Sequence, residues 1–402
     1  MKTLRFLALT ATLGASLLPP RCAGQARFET IYKFGEYPDA EMPQGLVAGA
    51  DGALYGASTD GGVYGYGAVF VLQPPAVPGG AWTETVLYSF APQNGDGVDP
   101  RTSPAIGPNG ALYGTTAPDS PTYGTVYQLQ PPESEGGSWT ESVLFRSTYF
   151  SNIQYLNSVI AGPHGEIYGV SGEAVFELIP PATPGGAWAE TVLCNVSGPE
   201  GLAIGANGVL YGTANQGGCF AAGAVFELMP PAGAGGAWTL TVLYSFTSGA
   251  GGYLPTEPPV IGKGGIIYGT TSAGGGANLG TVFELHPPAS PGGSWTETVL
   301  YNFGSSVGAP SSPLIVRNGK IYGTTAGTPG TDNQGGSVFE LQPPVFPGGP
   351  WTQIVLHEFT GRQEPFGSLV MDSSGALYGT TNNEQYGEAP PGGDGSAYRI
   401  QP

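Results

Sequence analysis

The hydrophobic positions of this chain fall in short runs separated by segments rich in Gly and Pro. Residues 45–90 hold four such runs: GLVAGA (a), ALYGAS (b), AVFVLQ (c) and WTETVLYSF (d). Short runs of Val, Ile, Tyr, Phe and Thr bounded by turn formers read as strands. In run d, Val86, Tyr88 and Phe90 alternate with Thr85, Leu87 and Ser89. That partial alternation suits an outer strand with one face towards a neighbouring sheet. No stretch after residue 24 keeps a helical period.

The four-run unit then recurs, about every 55 residues. A Tyr-Gly pair preceded by Leu or Ile occurs seven times, at Tyr55, Tyr113, Tyr168, Tyr211, Tyr268, Tyr322 and Tyr378. A Pro-Pro-x-x-x-Gly-Gly-x-Trp string occurs six times and accounts for all six tryptophans, so the repeat sets Trp usage and each Trp is expected to pack at the base of a strand. Runs a and b are joined by pairs such as Asp51-Gly52, Asn109-Gly110 and Asn207-Gly208. These accept positive φ at both central positions of a tight hairpin. Four antiparallel strands repeated seven times predict an all-β fold, a seven-bladed β-propeller. The competing architecture, a parallel β-helix, needs no hairpin in every repeat.

The ends predict how the ring closes. Residues 27–34 (RFETIYKF) spell a d run without its a, b and c, and residues 396–402 spell a c run without its d. The first strand is therefore expected to complete the last blade, formed by residues 365–402, as its outermost strand, which removes an open sheet edge. Residues 27–402 then make one domain. Residues 1–24 read as a secretory leader: Lys2 and Arg5, a mostly apolar run from Phe6 to Leu18, and small residues for cleavage. Arg21 directly before Cys22 does not fit a lipoprotein signal.

Composition narrows the partners. The net charge of −18 becomes −21 without the leader, which holds Lys2, Arg5 and Arg21 and no acid. An acidic chain without basic clusters argues against nucleic acid and anionic membrane. No segment is long enough to span a bilayer, and a monomer is expected. Cys194, in a d run, and Cys219, in the next b–c loop, fall on one face of a propeller and could form a disulfide if exported.

Candidate chemistry lies in the d–a and b–c loops, which vary between repeats while the opposite loops do not; variable loops on a rigid scaffold are where function usually lies. Their Tyr, Asn, Asp and Thr side chains suit neutral polar ligands such as glycans. The candidate binding residues are Asp60, Tyr64, Asp96, Asp99, Tyr123, Glu257, Asp332 and Glu384. Asn94, Asp96 and Asp99 loosely follow a calcium loop but lack its bidentate Glu and occur once, so no cofactor is assigned. Gly304-Ser305-Ser306-Val307-Gly308 spells a nucleophile elbow with no following helix or His/Asp pair and reads as a chance match. His164, His286 and His357 show no metal spacing. Glu84, Glu141, Glu190 and Glu297 recur on the outer strand and are expected to be a solvated edge. Glu177, Glu227, Glu284 and Glu340 recur on run c as structural positions. No catalytic residues are assigned. The expected function is a secreted binding module for an extracellular polysaccharide or envelope component. The alternatives are a glycoside hydrolase or polysaccharide lyase with paired carboxylates at the central opening, and a protein-interaction scaffold.

The string Leu-Tyr-Gly-Thr-Thr (112–116), with the segments 273–285 and 299–303, resembles the GloVer tandem repeat of exported bacterial proteins, over essentially the whole chain after the leader. The resemblance implies a secreted or surface-displayed propeller, often with a C-terminal sorting anchor and with no defined enzymatic activity. This sequence departs from it in showing no such anchor and in its Pro-Pro-x-x-x-Gly-Gly-x-Trp extension.

Overall fold

A computed structural model describes residues 26–402 except 36–37, 78, 119–123, 135, 152, 184, 234, 291, 305–307, 328–333, 361–362 and 383–394. Seven antiparallel sheets stand in a ring, a seven-bladed β-propeller. Blade 1 is typical: Ala40–Ala48, Leu54–Gly61, Ala68–Gln73 and Thr83–Ser89 pair in sequence order from the axis outwards. The predicted closure forms. Arg27–Lys33 pairs with Ser396–Gln401 as the outermost strand of blade 7, with Arg27 opposite Gln401 and Lys33 opposite Ser396. The strands described number 29 rather than the expected 28, because the inner strand of blade 2 breaks into Val98–Pro100 and Ala105–Ile106. Asn109 and Asn207 take φ of 60° and 59° in the a–b turns, as Asn-Gly hairpins require.

The core is distributed: seven apolar clusters each draw on two adjacent blades, one per seam. The repeated residues explain how. The glycine of each Tyr-Gly pair lies opposite an aromatic residue of run c, as Gly212 lies opposite Phe226 and Gly379 opposite Tyr398. At all seven positions a Cβ would sit no farther than 2.8 Å from that ring. Glycine is kept here for close approach, not for backbone freedom. The ring it admits meets the phenylalanine that ends run d of the preceding blade. Phe34–Phe70, Phe90–Tyr127, Phe246–Phe283, Phe303–Phe339 and Phe359–Tyr398 are tilted pairs with centroids 5.0–5.3 Å apart. Such pairs add about 0.5–1.5 kcal/mol each beyond burial. All six tryptophans pack against seam clusters, in line with their structural reading.

The outer strands carry a second inter-blade contact, which corrects one expectation. Glu84, Glu141 and Glu297 are not a solvated edge. Tyr32 donates to Glu84 across the blade 7–1 seam (3.3 Å), and Tyr244 to Glu297 across the blade 4–5 seam (2.8 Å). Tyr301 donates to Gln353 at the equivalent place (2.8 Å). Where the blade 7 strand carries Phe28 in place of the acid, the preceding blade supplies His357, stacked on it at 3.7 Å. Burial raises the carboxyls of Glu84, Glu190 and Glu297, and pushes Glu141 up to about 7 with help from the charge of Asp96. In blades 3 and 4 the corresponding positions are Cys194 and Leu240, both without charge. Cys194 is half-buried and Cys219 exposed, both as free thiols. Cys194 packs with the blade 3–4 cluster as an apolar side chain.

Candidate functional site in the central lumen

Inner strands enter from the variable-loop face, and the residues just before or at their start surround a cavity of about 700 Å³ on the ring axis. Strand pairing puts these residues in common register. Glu257 lies three places before Val260, which pairs with Tyr268 of the Tyr-Gly motif. Counting back the same way from Val47, Ala105, Ile160, Ala203, Ile315 and Val370 gives Gln44, Thr102, Asn157, Glu200, Ser312 and Gly367.

The seven equivalent positions are not equally available. Gln44 donates to the Met42 carbonyl (2.9 Å), and Ser312 accepts from the Thr324 N–H (3.0 Å). Over Gly45, the hydroxyls of Ser103 and Ser368 meet at 2.8 Å, and Ser368 donates to the Leu46 carbonyl (2.8 Å). Blades 2 and 7 thus touch across blade 1. The charged groups at the cavity, Arg101, Glu200 and Glu257, come from blades 2, 4 and 5. Blades 6 and 7 contribute mainly Pro310, Pro313, Phe366 and Val370, with Phe366 38% exposed.

Glu200 is held firmly. Asn157 of blade 3 donates to one carboxylate oxygen (3.2 Å) and Asn215 to the other. Burial raises its carboxyl, and the Asn157 bond opposes that rise. Glu257 is fixed through its backbone: Thr213 donates to the Glu257 carbonyl (2.8 Å), as Thr115 does to the Asn157 carbonyl (2.6 Å). This is the work of the first threonine after Tyr-Gly. Glu257 is half-buried and lines the lumen. Burial first, and the charge of Glu200 second, push it up to about 8. Gly201 explains their proximity: its missing Cβ makes room for the Pro258 ring of the next blade, two atoms of which would lie 3.0 Å away.

Of the sequence candidates among the described residues, only Glu257 lines the lumen. Asp96 is buried, accepting from the Tyr88 hydroxyl and the Ala91 N–H, so it braces the d–a loop. Asn94 closes a 3₁₀ turn, Pro92–Asn94, and the Asp99 N–H donates to the Tyr66 carbonyl (3.0 Å). Among the described residues, no group of three or more His, Cys, Asp or Glu side chains gathers as metal ligands would. Asp60 is exposed at the end of Leu54–Gly61, and Tyr64 is half-exposed in the following loop. Tyr123, Asp332 and Glu384, and the Ser305–Ser306 elbow spelling, lie outside the described residues. Glu200, Asn157, Arg101 and Phe366 were missed. Glu200 and Asn157 share a fixed offset before Tyr-Gly, and Arg101 and Phe366 stand one place earlier, a signal visible only once the repeats are aligned by register.

Solved structures share the fold at low identity. The extracellular domain assigned to a hybrid two component system, BT3049 of B. thetaiotaomicron, matches with TM-score 0.50 and 12% identity over 93% of this chain and 41% of that one. The extracellular domain of the one component system BT4673 from B. thetaiotaomicron matches at 0.50 and 11% over 92% and 39%. This chain therefore spans about two fifths of those two. A structure described as a gluconolactonase matches at 0.42 and 14% over 75% of this chain and 87% of that one. No functionally curated protein matches. The Gloeobacter/Verrucomicrobia repeat model matches residues 21–176 and 198–402, and with that repeat accounting for the blades, the seams and the closing strand, the chain belongs to the Gloeobacter/Verrucomicrobia repeat family.

Proposed function

We propose that this propeller is an exported binding module for an extracellular polysaccharide or another envelope component, engaged by the variable-loop face. One observation carries the reading: large rings stand in solvent on that face. Tyr64 and Tyr66 lie in the b–c loop of blade 1, Tyr149, Phe150 and Tyr155 in the loop entering blade 3, and Phe220 in the b–c loop of blade 4. Phe150 is 92% exposed and Tyr149 68%, their rings edge to face at 5.3 Å. Flat apolar faces beside the polar edge of a shallow hollow lined by Ser151, Gln154 and Asn195 suit sugar rings. The leader-like residues 1–24 and the extracellular setting of the two B. thetaiotaomicron domains accord with export.

The test is incubation of residues 27–402 with a panel of bacterial and plant polysaccharides, recording both depletion of protein and release of soluble sugar. Depletion without release, lost in the Tyr149→Ala/Phe150→Ala double variant, is the expected result. Depletion that the double variant leaves intact would refute the aromatic platform. Sugar release that disappears in Glu257→Gln would make the lumen a glycan-cleaving centre instead.

A further inference from the structure

The lumen has two unlike walls, and they say more about what enters it. We propose that the lumen seats the ammonium group of an amino sugar, with Glu200 and Glu257 as its anionic wall and Phe366 as its apolar platform. This deepens the glycan reading above, but it rests on residues that the exposed rings do not include.

The two glutamates occupy the same register in consecutive blades, with Gly201 and Pro258 packing the blades together directly after them. The amides of Asn157 and Asn215 satisfy Glu200. Nothing among the described residues donates to the carboxylate of Glu257, a half-buried residue that lines the cavity with the charge of Glu200 near it. Two adjacent carboxyls in a partly desolvated place hold each other's protons, and burial of the second favours its neutral form. A cation between them offsets the repulsion and part of the burial cost, and a charge-assisted hydrogen bond from an ammonium is roughly twice as strong as a neutral one. A neutral hydroxyl at the same place would leave the mutual repulsion of the carboxylates in force.

The apolar wall, on the next two blades around the ring, argues for an organic cation over a bare ion. Phe366, Pro313 and Val370 offer apolar surface, and Phe366 is an exposed ring inside a cavity. Ligand pockets pair such surface with a few converging polar groups. A pyranose presents C–H bonds on its faces and polar groups at its edges, so it can lie against Phe366 with an edge amine turned to the glutamates. The volume of about 700 Å³ is within the usual range for small-ligand sites.

The experiment is titration of the full ring, residues 27–402, with glucosamine, glucose and N-acetylglucosamine at pH 7, followed by calorimetry or ligand-observed NMR. Glucosamine is expected to bind at least about tenfold tighter than the other two, a factor that corresponds to about 1.4 kcal/mol. Calorimetric heats should depend on the buffer, because binding releases the Glu257 proton. Glu257→Gln and Glu200→Gln should each erase the preference, and Phe366→Ala should weaken binding while keeping it. Equal binding of the three sugars, no binding, or a preference that survives in Glu257→Gln would overturn the proposal, as would calcium alone displacing glucosamine at lower concentration. Thermal melts of the variants separate lost binding from lost folding. Tyr149→Ala/Phe150→Ala leaves the lumen untouched. If it abolishes polymer depletion while glucosamine fails to discriminate, only the ammonium proposal falls; the reverse outcome removes only the platform.

Discussion

Replacing Gly212 by Ala adds a single methyl group at the Tyr-Gly motif of blade 4. The new Cβ would lie 2.7 and 2.9 Å from the two Cε atoms of Phe226, and closer still to Cζ. Carbon atoms prefer about 3.5–4.0 Å, so the methyl intrudes by most of an ångström along the whole tip of the ring. Phe226 has nowhere to retreat: it is 1% exposed, directly opposite Gly212 in the ladder, and packed with Leu202, Leu210 and Tyr168 in the blade 3–4 seam. Overpacking of this kind costs about 1–3 kcal/mol, and the rigid setting puts this case near the upper end. Unfolding entropy of about 2.1 cal/mol/K per residue over roughly 375 residues makes ~3 kcal/mol equivalent to a fall in Tm of ~4 °C. Differential scanning calorimetry and urea unfolding measure it. Gly233→Ala is the control, since nothing lies within 4 Å of a Cβ there, and it should leave Tm unchanged. Adding Phe226→Leu to Gly212→Ala removes the ring tip, so the double variant should be more stable than the sum of the singles by about 1–2 kcal/mol, a coupling typical of residues in contact. Additive effects, or a Gly212→Ala protein that melts with the parent, would refute close approach as the reason for the glycine.

Three other outcomes are expected. Glu141 has a folded-state pKa raised from 4.5 to about 7, so between those values the native state holds more protons than the unfolded one. Its contribution is intact below pH 4.5 and is lost as pH rises to about 7; urea midpoints from pH 5 to 8 should fall less steeply in Glu141→Gln, and an unchanged slope would contradict the buried setting. Cys219 should react with a thiol reagent in the native protein, and Cys194, half-buried with its thiol pushed up to about 11, only after unfolding; fewer than two thiols in the unfolded, unreduced protein would mean a bridge exists. Phe34→Ala removes a 2% exposed ring that locks the closing strand to Phe70, at a cost of about 3–5 kcal/mol, and calorimetry should show the whole transition shifted without a separate early step.

The architecture was legible because each blade repeats the same local instructions. Tyr-Gly, Asn-Gly and Pro-Pro-x-x-x-Gly-Gly-x-Trp punctuate every strand, and the incomplete units at 27–34 and 396–402 matched as complements. What stayed hidden were relations between blades. Glu84 looked like a surface acid because its partner, Tyr32, is 52 residues away in another sheet. Asp96 looked like a ligand because its bond to Tyr88 needs the loop to fold back. Glu257 drew notice for its charge alone; Glu200, beside it in space, did not, since 57 positions of chain separate them. Side chains that point across a seam leave no periodic trace within one strand, only a fixed offset from the motif in the next repeat.

The closing strand sets an order of events during synthesis. Arg27–Lys33 is made early, and its partner Ser396–Gln401 about 370 residues later. Joining ends that far apart costs about 3 kcal/mol more chain entropy than closing a loop of ~15 residues, and such distant pairings form slowly. Until the seventh blade is complete, a chain emerging from a ribosome or a translocon keeps an open crescent, with one strand waiting and apolar blade faces bare at both ends. The growing protein therefore carries two adhesive blade faces until its last strand is made, and only the pairing of the two ends of the chain covers them both at once.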